Sequence, residues 1–525
     1  MDLRADKIVA NSKALLFLLF TISLSAACIL TVWIGYPRGI GTDGAFYALS
    51  GYNLFHGHGF TYSNVPNTFT WPMFSILIAL VNVVINDLQI CAHIVLIVAF
   101  AVGIFPFYYA CKNLFNEKTA RIAATLYFLN GFLLRLSARM IPESLMILML
   151  LIAVYYTSNI LRSVRLDQTP RKTDCFFTGL FLGLAYLVKP ESFQYFVITF
   201  FLLVSISYHR KKLRKGFISL SILLFVFALV VAPQISFVHE VTGKWELTTY
   251  NRFFFRGLVE PLFSLSPGKG SVDPDMEYNY NAYIVRGPYT AERLQNDLSG
   301  FNVHVFEYSK SLLTIIGPAS LVLALLFCFA KTDIQRYTKQ YLVWMLFPMI
   351  TLILWYTVKD KSFIVFVPFF LMIGAYYLNF VRTKYQGMPY FFYGLLLLIY
   401  LQSYTPIANQ APTNAVIGNH RKMGEWIRDN IRDMESMLIA DRKPYITYFA
   451  RGRYYRYNNV PDYESLISLL KEKKVNYLIV DDFYTQTKNP GVAELLNGKD
   501  RPDLRFVHAV QDSSWGKAIL YKVNY

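Results

Sequence analysis

The chain alternates long apolar stretches with short basic connections, and this alternation limits the folds that it can adopt. Of its 525 residues, 54% are hydrophobic and only 16% are charged, whereas soluble domains carry roughly 25% charged residues. A helix needs about 20 apolar residues to cross the hydrocarbon core of a bilayer. The stretches that predict such helices are 14–35, 88–111, 120–138, 143–161, 175–189, 191–208, 216–238, 309–330, 341–358, 362–381 and 389–405.

The distribution of positive charge predicts how these helices are oriented. The net charge of +17 would suggest a nucleic-acid partner in a soluble protein. Here the charges lie in short runs between apolar stretches, as in cytoplasmic loops, so we expect no nucleic acid. If the short apolar stretch 71–85 does not cross the membrane, the basic segments all fall on one side. We therefore predict a helix on the outer face for 71–85 and a cytoplasmic N-terminus. The basic segments are the N-terminal tail and residues 112–121, 162–172, 210–215, 331–339 and 382–384.

The resulting fold class is an α-helical polytopic membrane protein with about 11 transmembrane helices and a small extracytoplasmic α/β domain. Residues 1–405 form the predicted membrane module, with outer loops 36–87 and 239–308, and residues 406–525 form the soluble domain. Helical and strand patterns alternate in that domain. The predicted helices are 424–432 and 461–474, and the predicted strands are 437–440, 445–450, 475–480, 505–510 and 518–523.

Asp43 is the first candidate for a catalytic residue. It lies in the segment GTDGAFY, directly after the first apolar stretch. The flanking glycines allow a ligand to approach the backbone closely. A carboxylate beside the bilayer could accept a proton from a hydroxyl nucleophile, or it could simply cap the helix that follows.

Glu143 and Arg139 form a second candidate pair, at the start of another predicted span on the same outer face. A proline followed by a glutamate is also an ordinary way to begin a helix. In addition, Arg139 could pair with Glu143 four residues later without any further role. The residues alone favour this structural interpretation.

Three lysines lie at the outer ends of predicted spans, where the charge rule does not expect them. They are Lys189, in LVKPE, and Lys359 and Lys361, in VKDK. Such cations could bind the phosphate of an anionic lipid, or they could reach toward lipid headgroups. Because three occur together, we favour an anion-binding site.

The sequence predicts no metal site. His56 and His58 are two residues apart and have no carboxylate ligands nearby in the sequence. The five cysteines lie in or beside apolar segments without the CxxC spacing of a zinc site. A structural or surface role is the simpler interpretation of the two histidines.

The ordered set of motifs resembles the GT-C fold glycosyltransferases that use polyprenyl-phosphate sugars, with similarity to glycosyltransferase families 39 and 83. These families include protein O-mannosyltransferases and the aminoarabinose transferases that modify lipid A. The resemblance covers roughly residues 14–405. The motifs that carry it are the aspartate after the first span, TFTWPMFSILIALV, LFNEKTARIAATLYFLNGFLLRLSARMIPESLMI and GLFLGLAYLVKPESF.

The resemblance implies a role for each candidate residue. Asp43 matches the general base that acts on the acceptor hydroxyl, although many family members have an acidic residue where Gly44 stands here. Glu143 and Arg139 match a second site region, and Lys189 matches a ligand of the donor phosphate. TVKDKSFIVFVP is similar to a later basic segment, which suggests Lys361, or else Lys359, as a further phosphate ligand.

The expected function follows from this resemblance. The enzyme would transfer a sugar from a polyprenyl-phosphate donor to a lipid, glycan or protein hydroxyl at the outer face of the cell membrane, with inversion. Some family members bind a divalent cation, but this sequence shows no clear cluster of ligands. A transporter or flippase of a lipid-linked or polar solute is the alternative, and a structural envelope subunit is a third. Charges gathered at the outer rim rather than at the midplane of the membrane disfavour the transporter.

Overall fold

The computed structural model shows a helical membrane module followed by a small α/β domain. It describes residues 12–36, 39–62, 65–210, 213–247, 308–329, 334–351, 360–384, 394, 418–433, 436–457, 460–482, 485, 490–512 and 516–525.

The helices of the membrane module follow the apolar stretches closely. They are α1 (Ser12–Leu30), α2 (Thr42–Phe55), α3 (Pro72–Ile85), α4 (Leu88–Leu114), α5 (Glu117–Leu129), α6 (Gly131–Ser137), α7 (Glu143–Arg165), α8 (Lys172–Val188), α9 (Phe193–His209), α10 (Leu213–Thr242), α11 (Pro318–Phe329), α12 (Arg336–Thr351), α13 (Asp360–Ile364) and α14 (Val367–Lys384). A short hairpin of β1 (Thr61–Tyr62) and β2 (Val65–Pro66) follows α2.

Within the described residues, five helices are long and apolar enough to cross a membrane. This makes the protein a multi-pass membrane protein. The predicted stretch 389–405 lies outside the described residues except for residue 394, so the total of about 11 spans stays a prediction. The five helices are Ser12–Gly35, Leu88–Leu114, Glu143–Arg165, Pro190–His209 and Gly216–Thr242.

Three predicted spans are not continuous helices. The stretch 362–381 is divided between α13 and α14, and two further breaks lie at Asn130 and at Gly317. The stretch 120–138 is divided between α5 and α6 at Asn130, whose side chain accepts a hydrogen bond from the amide of Leu133 and caps α6. The stretch 309–330 bends by 93° between two helical segments, where Gly317 has a φ of +81°. Both breaks have a local cause, because an asparagine cap or a left-handed glycine stops an apolar helix.

Helix α3 has the bounds predicted for the short stretch on the outer face. It begins with Pro72 in its first turn and ends at Asn86, which adopts a left-handed conformation. Its 14 residues extend about 21 Å at 1.5 Å per residue, which is less than the roughly 30 Å of a bilayer core.

The C-terminal domain is built on a five-stranded sheet with the order β4-β3-β5-β7-β6. Strands β4, β3 and β5 are parallel, and β7 pairs antiparallel with both β5 and β6. Buried aliphatic and aromatic side chains form a core on each face of the sheet. The elements are α15 (Gly418–Asn430), β3 (Leu438–Asp441), α16 (Tyr445–Ala450), β4 (Arg453–Arg456), α17 (Tyr463–Glu472), β5 (Tyr477–Asp481), β6 (Leu504–Asp512) and β7 (Gly516–Val523).

The prediction of a strand at 445–450 was wrong, because these residues form helix α16. Pro444 precedes the helix, and Arg451 ends it in a left-handed conformation. A short run of mostly apolar residues does not distinguish a strand from a buried helical turn. The second strand of this region is β4, three residues further on, which pairs in parallel with β3.

Candidate active site

Asp43 lies in the first turn of α2, and the helix cap is the residue two positions earlier. Gly41 is the N-cap, with extended backbone angles and no capping side chain. The interpretation of Asp43 as the N-cap is therefore wrong. Its side chain is half-buried, so it remains accessible to a ligand while it is held by the helix.

Two glycines bring this turn against the connection between α6 and α7. A Cβ atom added to Gly44 would lie 2.9 Å from Cβ of Met140 and 3.0 Å from its carbonyl oxygen. Gly35, at the end of the first span, packs against the backbone of Ala138 in the same connection. A side chain at position 44 would therefore collide with Met140. The glycine allows the first turn of α2 to approach this connection closely.

Lys189 leaves helix α8 at a corner set by the proline that follows it. A residue before proline avoids helical angles, and Lys189 is extended, with φ −154° and ψ 133°. Its ammonium group lies 3.2 Å from Oε1 of Glu143 and 3.3 Å from Oε1 of Glu191. The corner thus directs one cation between two carboxylates.

Glu143 begins α7 and its side chain is 0% exposed, while that of Lys189 is 18% exposed. A carboxylate at this depth needs a cation or hydrogen-bond donors. The cation comes from 46 residues away. Arg139 lies half-buried in the connection that leads to α7.

Tyr47 is a buried tyrosine whose pKa is affected by three acidic residues of the site. Its side chain is buried, one helical turn after Asp43. Burial, followed by the negative charges of Glu143, Asp43 and Glu191, raises the pKa of Tyr47 well above its ordinary value. The negative charges of three carboxylates therefore all act on this one phenol. At neutral pH this phenol remains a proton donor.

Two predicted lysines cannot be placed at the site from their side chains. Lys359 lies outside the described residues, and so does the side chain of Lys361, whose backbone belongs to α13. The segment that follows α13 does reach the site region. The ring of Phe366 lies 6.4 Å from that of Tyr195, one turn after Glu191.

Sequence reasoning missed Glu191 and Tyr47 as parts of this cluster. Glu191 had a signal, because a Lys-Pro-Glu corner at a span end places two opposite charges side by side. His56 and His58, in the outer segment that carries Asp43, are both exposed. The ring of His56 stacks on that of Tyr52, with the centroids 3.8 Å apart. Among the described residues, no three His, Cys, Asp or Glu side chains lie close enough to hold a metal ion.

Residues 65–237 match the family model described as dolichyl-phosphate-mannose-protein mannosyltransferase. This region contains Arg139, Glu143, Lys189 and Glu191, while Asp43 precedes it. A comparison with curated proteins found no match.

Solved structures share the architecture of nearly the whole chain. The oligosaccharyltransferase of Archaeoglobus fulgidus, in complex with zinc and sulfate, superposes with a TM-score of 0.59 at 13% identity, covering 89% of this chain and 68% of the other. The same enzyme with an inhibitory peptide and dolichol-phosphate gives 0.53 at 13% identity, covering 97% and 74%. ArnT from Cupriavidus metallidurans, bound to undecaprenyl phosphate, gives 0.58 at 9% identity, covering 95% and 97%.

The chain has the GT-C fold. At these identities the structural likeness establishes the fold, and the family match of residues 65–237 adds the class of activity. The protein is therefore a membrane glycosyltransferase. The predicted fold class, an α-helical membrane protein of GT-C type with a C-terminal domain, is confirmed.

Proposed function

We propose that the protein transfers a sugar from a polyprenyl-phosphate donor to a hydroxyl group of a lipid, glycan or protein acceptor, at the outer face of the cell membrane. One observation carries this proposal. The turn with Asp43 packs on the connection that leads to Glu143, and Glu143 holds Lys189 at 3.2 Å. A candidate base and a candidate phosphate ligand thus meet at one end of the helix bundle.

The proposed reaction is a single displacement. The carboxylate of Asp43 accepts the proton of the acceptor hydroxyl. The acceptor oxygen forms a bond to C1 of the sugar while the bond between C1 and the phosphate oxygen breaks. The leaving polyprenyl phosphate keeps the electron pair of that bond, and the configuration at C1 is inverted.

The charge on the leaving phosphate requires cations beside it. Lys189 supplies one, but it is already shared between Glu143 and Glu191. A second cation would therefore strengthen phosphate binding, and we assign this role to Lys361, with Lys359 and Arg139 as further candidates. The approach of the 360–366 segment to Tyr195 supports the assignment.

A divalent cation is a further candidate participant, because the archaeal oligosaccharyltransferase structure contains zinc. The described residues of this chain do not fit that group, since no three suitable side chains converge. The proposed reaction therefore has no step through a metal.

The test compares envelope glycans and glycolipids by mass spectrometry in host cells that carry wild type, a deletion, Asp43→Asn or Asp87→Asn. Asp87 is the matched control, because it lies in the same outer segment and caps α4 by accepting hydrogen bonds from the amides of Gln89 and Ile90. Asparagine caps a helix as well as aspartate does. Each variant must reach the membrane at the wild-type level.

We expect the deletion and Asp43→Asn to lose the same sugar, and Asp87→Asn to keep it. If the deletion loses a sugar and Asp43→Asn retains it, Asp43 is not the base. A transporter that supplies another enzyme would then explain the phenotype better.

The phosphate ligands have a separate test. Lys189→Gln and Lys361→Gln should weaken the binding of undecaprenyl phosphate to the purified protein, whereas Lys189→Arg should retain it better. Lys471→Gln, in the C-terminal domain, is the control. Unchanged binding in both glutamine variants would contradict the assignment.

A further inference from the structure

The C-terminal domain contacts the outer segment that carries the candidate base. The hydroxyl of Tyr445, in the first turn of α16, lies 3.3 Å from Oγ1 of Thr42. Thr42 precedes Asp43 in the first turn of α2. The contact joins residues 403 positions apart in the chain, so it forms only when the two modules are docked.

An arginine of α15 strengthens this docking at the end of the first span. The guanidinium group of Arg421 lies 5.0 Å from the ring centroid of Tyr36 and 5.5 Å from that of Phe449. Its Nε atom lies 2.7 Å from Oε1 of Glu425, which fixes the direction of the side chain. A cation over an aromatic face is attracted by the ring electrons, so Arg421 ties the domain to the residues just before Asp43.

A second arginine makes a similar contact at the other end of α2. The guanidinium group of Arg451 lies 5.2 Å from the ring centroid of Tyr52, and Nη2 donates a hydrogen bond to Oδ1 of Asn86 at 3.3 Å. The ring of Tyr454 lies 6.0 Å from that of Tyr62 in the β1–β2 hairpin. These contacts bracket α2 from both ends.

The partners of these contacts in the membrane module share one property. Tyr36, Thr42, Tyr52, Tyr62 and Asn86 all belong to the segment between the first span and α4. This is the segment that positions Asp43. One side of its first turn is open, because nothing lies within 4 Å of a Cβ atom built on Gly41.

We infer that the C-terminal domain positions the base, with Tyr445 and Arg421 as positioning residues that act on Asp43 through Thr42 and Tyr36. This inference rests on the proposed function. A displacement of about 1 Å at a reacting group can cost on the order of a hundredfold in rate. The first turn of α2 is open on one side, so contact with the C-terminal domain on another side would hold Asp43 more firmly in position. The proposed phosphate ligands, Lys189 at the end of α8 and Lys361 in α13, lie in other segments, which these contacts do not include.

The inference predicts a separation of turnover from donor binding. In the full-length protein, Tyr445→Phe combined with Arg421→Met should lower the rate of product formation at least about tenfold, and undecaprenyl phosphate binding should stay within about twofold. Thr42→Val should add little to Tyr445→Phe, because both remove the same contact.

Two variants of the C-terminal domain are matched controls. Arg501 lies 5.2 Å from the ring centroid of Tyr463 and also pairs with a glutamate, so Arg501→Met removes the same kind of contact away from the membrane module. Tyr521 donates a hydrogen bond of 2.6 Å to the carbonyl of Leu495 within the domain. Tyr521→Phe therefore removes a tyrosine hydroxyl bond without touching the docking surface.

The experiment measures glycan product over time after induced expression, per amount of membrane protein, and undecaprenyl phosphate binding to each purified variant. Rates for the docking variants equal to those of Arg501→Met and Tyr521→Phe would overturn the inference. So would a parallel loss of binding and rate, which indicates general loosening. Asp43→Asn separates the two proposals. If Asp43→Asn is inactive while the docking variants have normal rates, only the positioning role of the C-terminal domain is wrong. If Asp43→Asn is active, the assignment of Asp43 as the base is wrong, and the positioning role that rests on it fails too.

Discussion

The pair between Glu143 and Lys189 makes a quantitative prediction about stability. Lys189→Met keeps the aliphatic stem and removes the charge, so a carboxylate that is 0% exposed loses the cation 3.2 Å away. Removing one partner of a buried pair costs about 3–5 kcal/mol. Since Lys189 is itself 18% exposed, water replaces part of the interaction, and we expect the lower end of that range, about 3 kcal/mol.

The double variant Lys189→Met/Glu143→Gln should regain most of this loss. A neutral amide removes the buried charge and leaves a cost near that of one hydrogen bond, about 1 kcal/mol. Lys471→Met is the control, because Lys471 pairs with Asp503 at 2.6 Å with side chains 41% and 28% exposed. A pair at the surface contributes under about 1 kcal/mol.

The assay is thermal unfolding in detergent, followed with a thiol-reactive dye. Cys91, Cys111 and Cys175 are buried, so they react when the helix bundle opens. At roughly 1 °C per kcal/mol for a chain of this length, Lys189→Met should lower Tm by about 3 °C, and the double variant by about 1 °C. A shift for Lys189→Met no larger than that of Lys471→Met would refute the buried pair, as would a double variant as unstable as the single one.

The close packing of α2 and the buried acids of the sheet give two further predictions. Gly44→Ala should lower product formation by displacing the first turn of α2 from Met140. Gly41→Ala is the control and should be neutral, because a Cβ atom there meets nothing within 4 Å. Equal activities of the two variants would contradict the close approach of Gly44 to Met140. Burial, followed by the charge of Asp481, raises the pKa of Asp441 well above its ordinary value. The folded chain therefore retains a proton on Asp441 that the unfolded chain loses above about pH 4. As a result, the free energy of unfolding falls as the pH rises toward the raised pKa. Asp441→Asn should therefore raise Tm at pH 8 more than at pH 5, and equal shifts would argue against the raised pKa.

The sequence predicted the parts of the fold that depend on local composition. Apolar stretches of span length became helices such as α4 and α7, and the short stretch 71–85 became the short helix α3. These predictions succeed because a backbone in lipid must satisfy its hydrogen bonds within a helix. The break at Asn130 also has a local signal, an asparagine that can cap a helix, which hydropathy alone overlooks.

Local pattern was insufficient where packing decides between structures. Tyr445–Ala450 has a composition that suits a strand, yet it forms helix α16, which connects β3 to β4 along the chain. Strand β4 begins and ends with arginine, and its two central tyrosines are buried only because it lies beside β3. A short segment takes the structure that its neighbours bury best.

The candidate site divides in the same way. The sequence by itself marks Asp43, Glu143 and Lys189 as charged residues at span ends, because charges are costly within a bilayer. Which charges meet was decided by tertiary structure: Glu143 pairs with Lys189, 46 residues away, and Gly44 brings Asp43 to the same connection. Pairing across a bundle depends on which helix ends are adjacent, and that is a property of the packed helices rather than of any one segment.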